Sequence, residues 1–577
     1  MAGIPLRAES HPTFGPLEIR FAKTLSGRLW HQLEARRIRY WRLEGVRKEQ
    51  PQRAAEIFEA NGGVRIWVSE GMLRLHSALD LLADHVLAEH PRIQLARCLA
   101  LAKRGQVREA TTLFERTQQT SDGLARDHAD GDDTAVMVEG YVVSLLLSEY
   151  GCRPSRVVQE DARWPQVLAE TDREPLLQAF LLTWQCLFHF QTGRLGEGFE
   201  FGRQAMEHMR RRHFRYGELF IHVHYGTAEV ARGRLSAALQ EYQWANRIIR
   251  ADFAADQELR QVADIVLAEV YWEGGDARNA ARYVRRLSRR VRFPEAWFDL
   301  YMAAHLTVVE YLEAERGTDA AAAYAQEALE LASSEGLERL EDYLHGVCFM
   351  LLASGQAPGE ARAYALRHLP PARLDLQQQD LTWRERELRA RVRCGLALLD
   401  GEPDLALQEG EALTAFGLGF QMPRLTVHGF VCQAEARLAS GAAAEADRCL
   451  EAALDLAGSD GYVRPLLRAS EAVKARLSAL LVQRADEADW AAYLLSRTDD
   501  RSPMLLQAFT PREQEIMTLL ADGLPDKLIA RAVGLSAHGV RYHLKRIYTK
   551  LDVKNRTEAV ARAREHGVLA QESKPNY

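Results

Sequence analysis

A glycine that returns about every 40 residues constrains this chain more than any other feature. It stands at Gly105, Gly151, Gly193, Gly233, Gly275, Gly317, Gly355, Gly401 and Gly441. Five positions after most of them comes a small residue: Ala110, Gly198, Ala238, Ala280, Ala322, Ala406 and Ala446; the units at Gly151 and Gly355 break that rule. Apolar helical stretches flank each glycine, as in ARCLALAKRG (96–105) and QVREATTLFERT (106–117). The unit is a helical hairpin. Glycine takes the left-handed conformation that ends the first helix, and the small residue lets the second helix approach closely. Two helices of about 17 residues plus turns fill the period.

One hairpin cannot bury its apolar face alone, so neighbours stack into an α-solenoid. The pattern resembles tetratricopeptide repeats, although those usually run ~34 residues. Strand signals are weak, and the expected fold is all-α. Residues 91–484 are predicted as the TPR-like α-solenoid, after a loose N-terminus (1–26) and a helical cap or remnant (27–90). Trp184, Trp244, Trp272, Trp297 and Trp383 either pack between repeats or offer a stacking platform in the concave channel. Arg282, Arg285, Arg286 and Arg289 form a cationic helix face, which is either solvated surface or a site for an anionic effector or acidic partner.

Composition excludes several classes. Of 577 residues, 47% are hydrophobic and 27% charged, which is ordinary for a globular chain. The net charge is −6, so the whole is not a basic nucleic-acid coat. Phe509 to Leu569 nevertheless carries +4, leaving −10 elsewhere. The seven cysteines are scattered singly, which fits reduced, buried thiols rather than a disulfide framework or zinc site. The first residues, MAGIPLRAESHPT, lack the apolar core of a signal peptide, and no run of about 18 apolar residues suggests a membrane span. No HExxH, GxSxG or spaced metal-ligand set occurs, so no enzyme activity, metal or cofactor is expected.

After a polar linker (485–508), residues 509–569 read as a separate domain, followed by a tail (570–577). Thr510-Pro-Arg-Glu513 has the form of a capping box opening a helix with apolar Ile516, Leu519 and Leu520. A short helix is predicted from about Pro525 to Val533, then the turn Gly534-Leu535-Ser536, then a helix from about Ala537 to Leu551. Val540, Leu544, Ile547 and Leu551 form the buried stripe of that third helix. Its opposite face shows Arg541, Lys545 and Thr549. A short helix, a tight turn and a basic helix make helix-turn-helix geometry, with the basic helix entering the major groove. Arg541, Tyr542 and Lys545 are the candidate base contacts. Lys527, Ser536, His538, Arg546, Lys550, Lys554, Asn555 and Arg556 are the candidate backbone contacts.

The segment resembles the LuxR-type DNA-binding domain. The matching residues are T-P-R-E (510–513), G-L-P-D-K-x-I-A (523–530), V-R-x-H-L-K (540–545), K-L-x-V (550–553) and N-R-T-E-A (555–559). The resemblance implies a four-helix fold whose final helix, here Thr557–Arg564, serves dimerisation, with base-facing positions at Arg541, Tyr542 and Lys545. Gly539 departs from the family's usual Thr, Asp552 from its Gly, and Leu528 from a polar residue. Residues 457–465 (AGSDGYVRP) are similar to the end of the solenoid in large MalT-like LuxR-type regulators. Those carry an ATPase module ahead of the solenoid, but GxxxxGK[ST] does not occur here. The chain is expected to begin near where that module ends.

These readings converge on a cytoplasmic, nucleoid-associated transcription regulator. Its expected partners are promoter or operator double-stranded DNA, bound as a homodimer, RNA polymerase, and a small-molecule or protein effector in the solenoid. The alternative is a TPR-like interaction scaffold that uses the helix-turn-helix only as a DNA localiser or works with a separate signalling subunit.

Overall fold

A computed structural model describes residues 51–60, 63–82, 90–124, 132–152, 167, 175–354, 358–376, 378, 380–458, 461–483, 511–533, 540, 543–544, 547–548, 553 and 555–565. Every regular element among them is helical. They fall into two compact units. One takes in residues up to Leu147 together with Pro165–Leu176; the other takes in Ser148–Trp164 and everything from Leu177 onward. The predicted linker at 485–508 and the tail at 570–577 lie outside the described residues, as does the N-terminus up to residue 50.

The first unit contains α1 (Pro51–Ala60), α2 (Arg65–Glu70), α3 (Met72–Leu79), α4 (Pro91–Lys103), α5 (Val107–Leu124) and most of α6 (Asp132–Tyr150). Arg92 reaches from α4 to Glu139 of α6, with Nη2 2.6 Å and Nε 3.1 Å from the carboxylate. Both side chains are largely buried, so the fork matches the carboxylate where solvent cannot compete.

The second unit is a run of hairpins: α7 (Pro175–Gln191) with α8 (Leu195–Arg212), α9 (Arg215–Ala231) with α10 (Leu235–Asp252), α11 (Gln257–Glu273) with α12 (Ala277–Leu287), α13 (Phe298–Arg316) with α14 (Thr318–Glu335), α15 (Glu338–Ser354) with α16 (Pro358–His368), α17 (Trp383–Leu399) with α18 (Pro403–Gly419), and α19 (Pro423–Ala439) with α20 (Ala443–Gly458). Short α21 (Arg464–Leu467) and α22 (Glu471–Gln483) end the array.

Most of the repeat glycines do what the spacing predicts; Gly317 (φ +87°, ψ 172°) has a positive φ but an extended ψ rather than the left-handed helical conformation. Gly105, Gly193, Gly233, Gly275, Gly317, Gly401 and Gly441 all have positive φ. At Gly233 (φ +68°) the glycine N–H donates to Val230 O at 2.9 Å, and Arg234 N–H reaches back to Glu229 O at 2.8 Å. This closes the helix with a Schellman turn. In the Gly151 unit the positive φ falls instead on Cys152 (φ +55°), and Gly355 lies outside the described residues. The small residues at position five are buried at Ala110, Gly198, Ala238, Ala280, Ala406 and Ala446. Ala322 is the correction: it is exposed, and Ala321 is buried in its place. The helix after Gly317 starts at the next residue, whereas those after Gly233, Gly401 and Gly441 start two residues on, so the buried register moves back by one.

Hairpin crossings are tightest where both helices supply glycine. A Cβ placed on Gly429 of α19 would lie 2.7 Å from Thr414 N and 2.8 Å from Gly410 O of α18. No side chain fits there without moving a backbone.

The solenoid closes on itself. Inner helices far apart in sequence meet through charged side chains that are buried. Arg384 of α17 forks onto Glu269 of α11, with Nη1–Oε1 2.5 Å and Nη2–Oε2 3.0 Å. Arg424 of α19 bridges Glu273 of α11 (2.8 Å) and Glu387 of α17 (2.7 Å). Arg464 of α21 lies 3.5 Å over the Trp272 ring, whose Nε1 donates to Glu310 at 2.9 Å. Burial alone pushes the Glu387 carboxyl upward, but Arg424 and His428 outweigh it and hold it well below the usual range. Buried ion pairs thus tie together inner helices that are far apart in sequence. Trp184, Trp272, Trp297 and Trp383 are packed inside the array; Trp244, at 51% exposure, is the exception among the five.

Candidate nucleic-acid interface

The C-terminal domain begins with α23 (Pro511–Ala521) and α24 (Asp526–Ala532) and ends with α25 (Arg556–Glu565). Between them, residues 540, 543–544 and 547–548 are helical. The turn after α23 follows its sequence. Gly523 has φ +80°, its N–H meets Leu520 O at 3.1 Å, and Leu524 N–H meets Leu519 O at 3.2 Å. One core joins the elements: Ile516, Met517 and Leu520; Ile529, Ala530 and Val533; Val540, Leu544 and Ile547; Ala559 and Ala563. Three members of the predicted stripe of the third helix therefore face inward; Leu551 lies outside the described residues.

Of the predicted contact residues, Lys527, Asn555 and Arg556 are described. Lys527 is exposed on α24. Asn555 caps α25: its Oδ1 accepts from Glu558 N at 3.0 Å, and its Nδ2 donates to Glu558 Oε1 at 2.7 Å. Arg556 donates through Nη2 to Leu520 O (2.9 Å) and Leu524 O (2.7 Å), tying the start of α25 to α23 and the turn after it. These two side chains have a structural task that the sequence reading passed over. The spacing Asn555-x-x-Glu558 was the available signal, since it is the spacing of a capping box. Arg541, Tyr542, Lys545, Ser536, His538, Arg546, Lys550 and Lys554 lie outside the described residues, as does Gly539. Leu528 stands 49% exposed on α24.

A second candidate lies in the solenoid. Outer helices α8 and α10 part over α9 and leave an open cavity of about 670 Å³. Met206, Tyr225, Trp244 and Ile248 supply its apolar lining, and Arg210, Glu218 and Glu241 stand among its polar residues. His222 Nδ1 lies 2.6 Å from Glu241, and the Arg247 guanidinium sits 3.7 Å over Trp244. Among the described residues no three His, Cys, Asp or Glu side chains converge as a metal site, and no helix is long and apolar enough to cross a membrane.

Comparison with known proteins places the C-terminal domain. Residues 507–563 match the family described as bacterial regulatory proteins, luxR family. The segment is a LuxR-type helix-turn-helix domain, and its curated relatives are regulators. The probable transcriptional regulatory protein SgaR of Hyphomicrobium methylovorum is 46% identical over 56 residues, 10% of this chain and 26% of SgaR. The nitrate/nitrite response regulator NarL of Escherichia coli K12 is 32% identical over 108 residues, 18% of this chain and 49% of NarL. The transcriptional regulatory protein DesR of Bacillus subtilis is 43% identical over 58 residues, 10% of this chain and 29% of DesR. The chain thus spans a quarter to a half of the length of these relatives. Among solved structures, a Rap protein in complex with competence and sporulation factor aligns over 65% of this chain and all of its own, at 10% identity and a TM-score of 0.46.

Proposed function

We propose that the chain is a sequence-specific transcription regulator whose third C-terminal helix reads the major groove. The observation that carries this is the burial of Val540, Leu544 and Ile547 against α23, α24 and α25. In the helix that the sequence predicts from about Ala537 to Leu551, positions 541 and 545 fall off that inward stripe. Arg541 and Lys545 then donate to guanine N7 and O6, and Tyr542 meets a base edge or thymine methyl. Lys527 and the neighbouring Ser536, His538, Arg546, Lys550 and Lys554 meet phosphates. Asn555 and Arg556 hold the domain in shape beside that surface. A homodimer on paired half-sites supplies the affinity that one small domain lacks. The solenoid senses an effector, with the cavity beside Trp244 as its entry point, and passes the signal on to RNA polymerase at the promoter in the cytoplasm.

The test is selection of duplex DNA by the full chain from a random-sequence pool, beside the variant Arg541→Ala, Lys545→Ala. Wild type should enrich one motif. The variant should lose about 1–3 kcal/mol for each base contact and relax preference at those positions. Equal enrichment by both proteins sinks the assignment of these residues. Enrichment by neither, in the presence of cell extract, sinks the regulator and leaves the scaffold reading.

A further inference from the structure

Several outward arginines on the solenoid are paired. Arg203 meets Glu200, Arg211 meets Glu207, Arg215 meets Asp252, Arg362 meets Asp400 and Arg476 meets Asp447. The run on α12 and the turn after it instead gathers unpaired ones in one place. Its inner face, Ala280, Ala281, Val284 and Leu287, is buried. Its outer face shows Arg282, Arg285 and Arg286, and the turn adds exposed Arg289 and Arg290. Arg286 forks onto Asp264 at 2.5 and 2.7 Å. Among the described residues no carboxylate pairs with Arg282, Arg285, Arg289 or Arg290. Four unneutralised guanidiniums therefore stand together on a chain whose net charge is −6.

We infer that this arginine face is a second DNA contact, binding phosphates that flank the site held by the C-terminal domain; it rests on the DNA-binding reading above. Three features favour a nucleic-acid backbone over an acidic protein. The cations are all arginine, whose planar fork fits phosphate oxygens. They are spread over roughly 10 Å of an outward face, at about 1.5 Å per residue, which matches a polyanion with a phosphate every ~3.4 Å along each strand. No exposed large apolar side chain stands on α12 to anchor a protein partner, where interfaces take most of their energy from such anchors. Tethering in one chain makes the second contact intramolecular once the first has formed.

The experiment uses the full chain and two duplexes carrying the motif enriched from the random pool: one of about 18 bp and one with about 20 bp of added flank on each side. Binding of each is titrated with salt at one-to-one stoichiometry. Wild type should bind the longer duplex more tightly, with a log–log salt slope steeper by about 3 for each arginine face engaged, since each neutralised phosphate contributes ~0.9. The triple variant Arg282→Gln, Arg285→Gln, Arg289→Gln should lose both the gain and the extra slope while binding the short duplex as wild type does. The Arg→Lys triple variant, which keeps the charge, should retain the extra slope and controls for folding. Equal slopes on both duplexes for wild type, or an unchanged slope in the Gln variant, overturns the inference. Unchanged DNA binding together with loss of poly-glutamate binding in that variant overturns it in favour of an acidic partner. If the short duplex fails to bind while the long one binds in an arginine-dependent way, the C-terminal reading falls, and the flanking contact that rests on it falls too. If neither duplex binds, both fall.

Discussion

At the scale of single residues, two glycines with opposite surroundings test how tightly the hairpins are built. Gly429 has backbone atoms 2.7 and 2.8 Å from where a Cβ would sit, so Gly429→Ala must push α18 and α19 apart. Overpacking of this kind destabilises by about 1–3 kcal/mol. Gly196, in the first turn of α8, has nothing within 4 Å of its would-be Cβ. Gly196→Ala should raise stability by roughly 0.5–1 kcal/mol through backbone entropy. Denaturant melts of the two variants should therefore shift in opposite directions. Equal shifts would mean that the crossing at Gly429 is looser than described.

At the scale of elements, the C-terminal domain and the solenoid axis each depend on arginines. Arg556 joins α25 to the Leu520 carbonyl of α23 and the Leu524 carbonyl of the turn after it. Arg556→Ala should cost about 2–3 kcal/mol of domain stability, in the range for hydrogen bonds to a charged group. It should reduce DNA affinity only where folding is already marginal. A variant that binds weakly yet melts like wild type would return Arg556 to the phosphate contacts. In the axis, Arg384→Met leaves Glu269 buried without its fork partner and should cost about 3–5 kcal/mol. The double change Arg384→Met, Glu269→Met should recover most of that, because the unpaired charge goes with it. A double variant no more stable than the single would contradict this account. The contrast also marks what a sequence can reveal. The turn at Gly233 and the stripe Val540–Leu544–Ile547 were legible because their causes are local: a φ that suits glycine, and a spacing of three and four. The Arg384–Glu269 pair was not, because its partners stand 115 positions apart and each, in its own helix, resembles an ordinary surface charge. Arg541, Tyr542 and Lys545 rest on periodicity joined to family resemblance, and they lie outside the described residues.

At the scale of the whole molecule, the closed axis holds carboxyl groups that prefer to be neutral. Gln191 Nε2 donates to Glu149 at 2.9 Å and to Asp299 at 2.7 Å, with all three side chains buried. Burial, helped by the mutual repulsion of the two carboxyls, lifts Glu149 to about 8; burial also lifts Asp299 to about 6. A carboxyl raised in this way holds its proton in the folded state. The stability linked to Glu149 is complete below its ordinary 4.5 and drains away as pH climbs through about 8. Melting temperature should therefore fall between pH 5.5 and 8.5, and Glu149→Gln should flatten much of that slope. A variant with the wild-type slope would place the proton elsewhere.

The ion pairs across the axis also bear on how such an array changes over generations. An open array can gain or lose a unit at little cost, because each repeat meets only its neighbours. Here Glu269 and Glu273 of one hairpin are matched to Arg384 and Arg424 of hairpins several units later. Duplicating or deleting one intervening repeat would carry each arginine past its glutamate and strand both in the interior. The number of repeats between them is held fixed by that pairing, so divergence of this domain should proceed through substitution and loop exchange rather than through change of length.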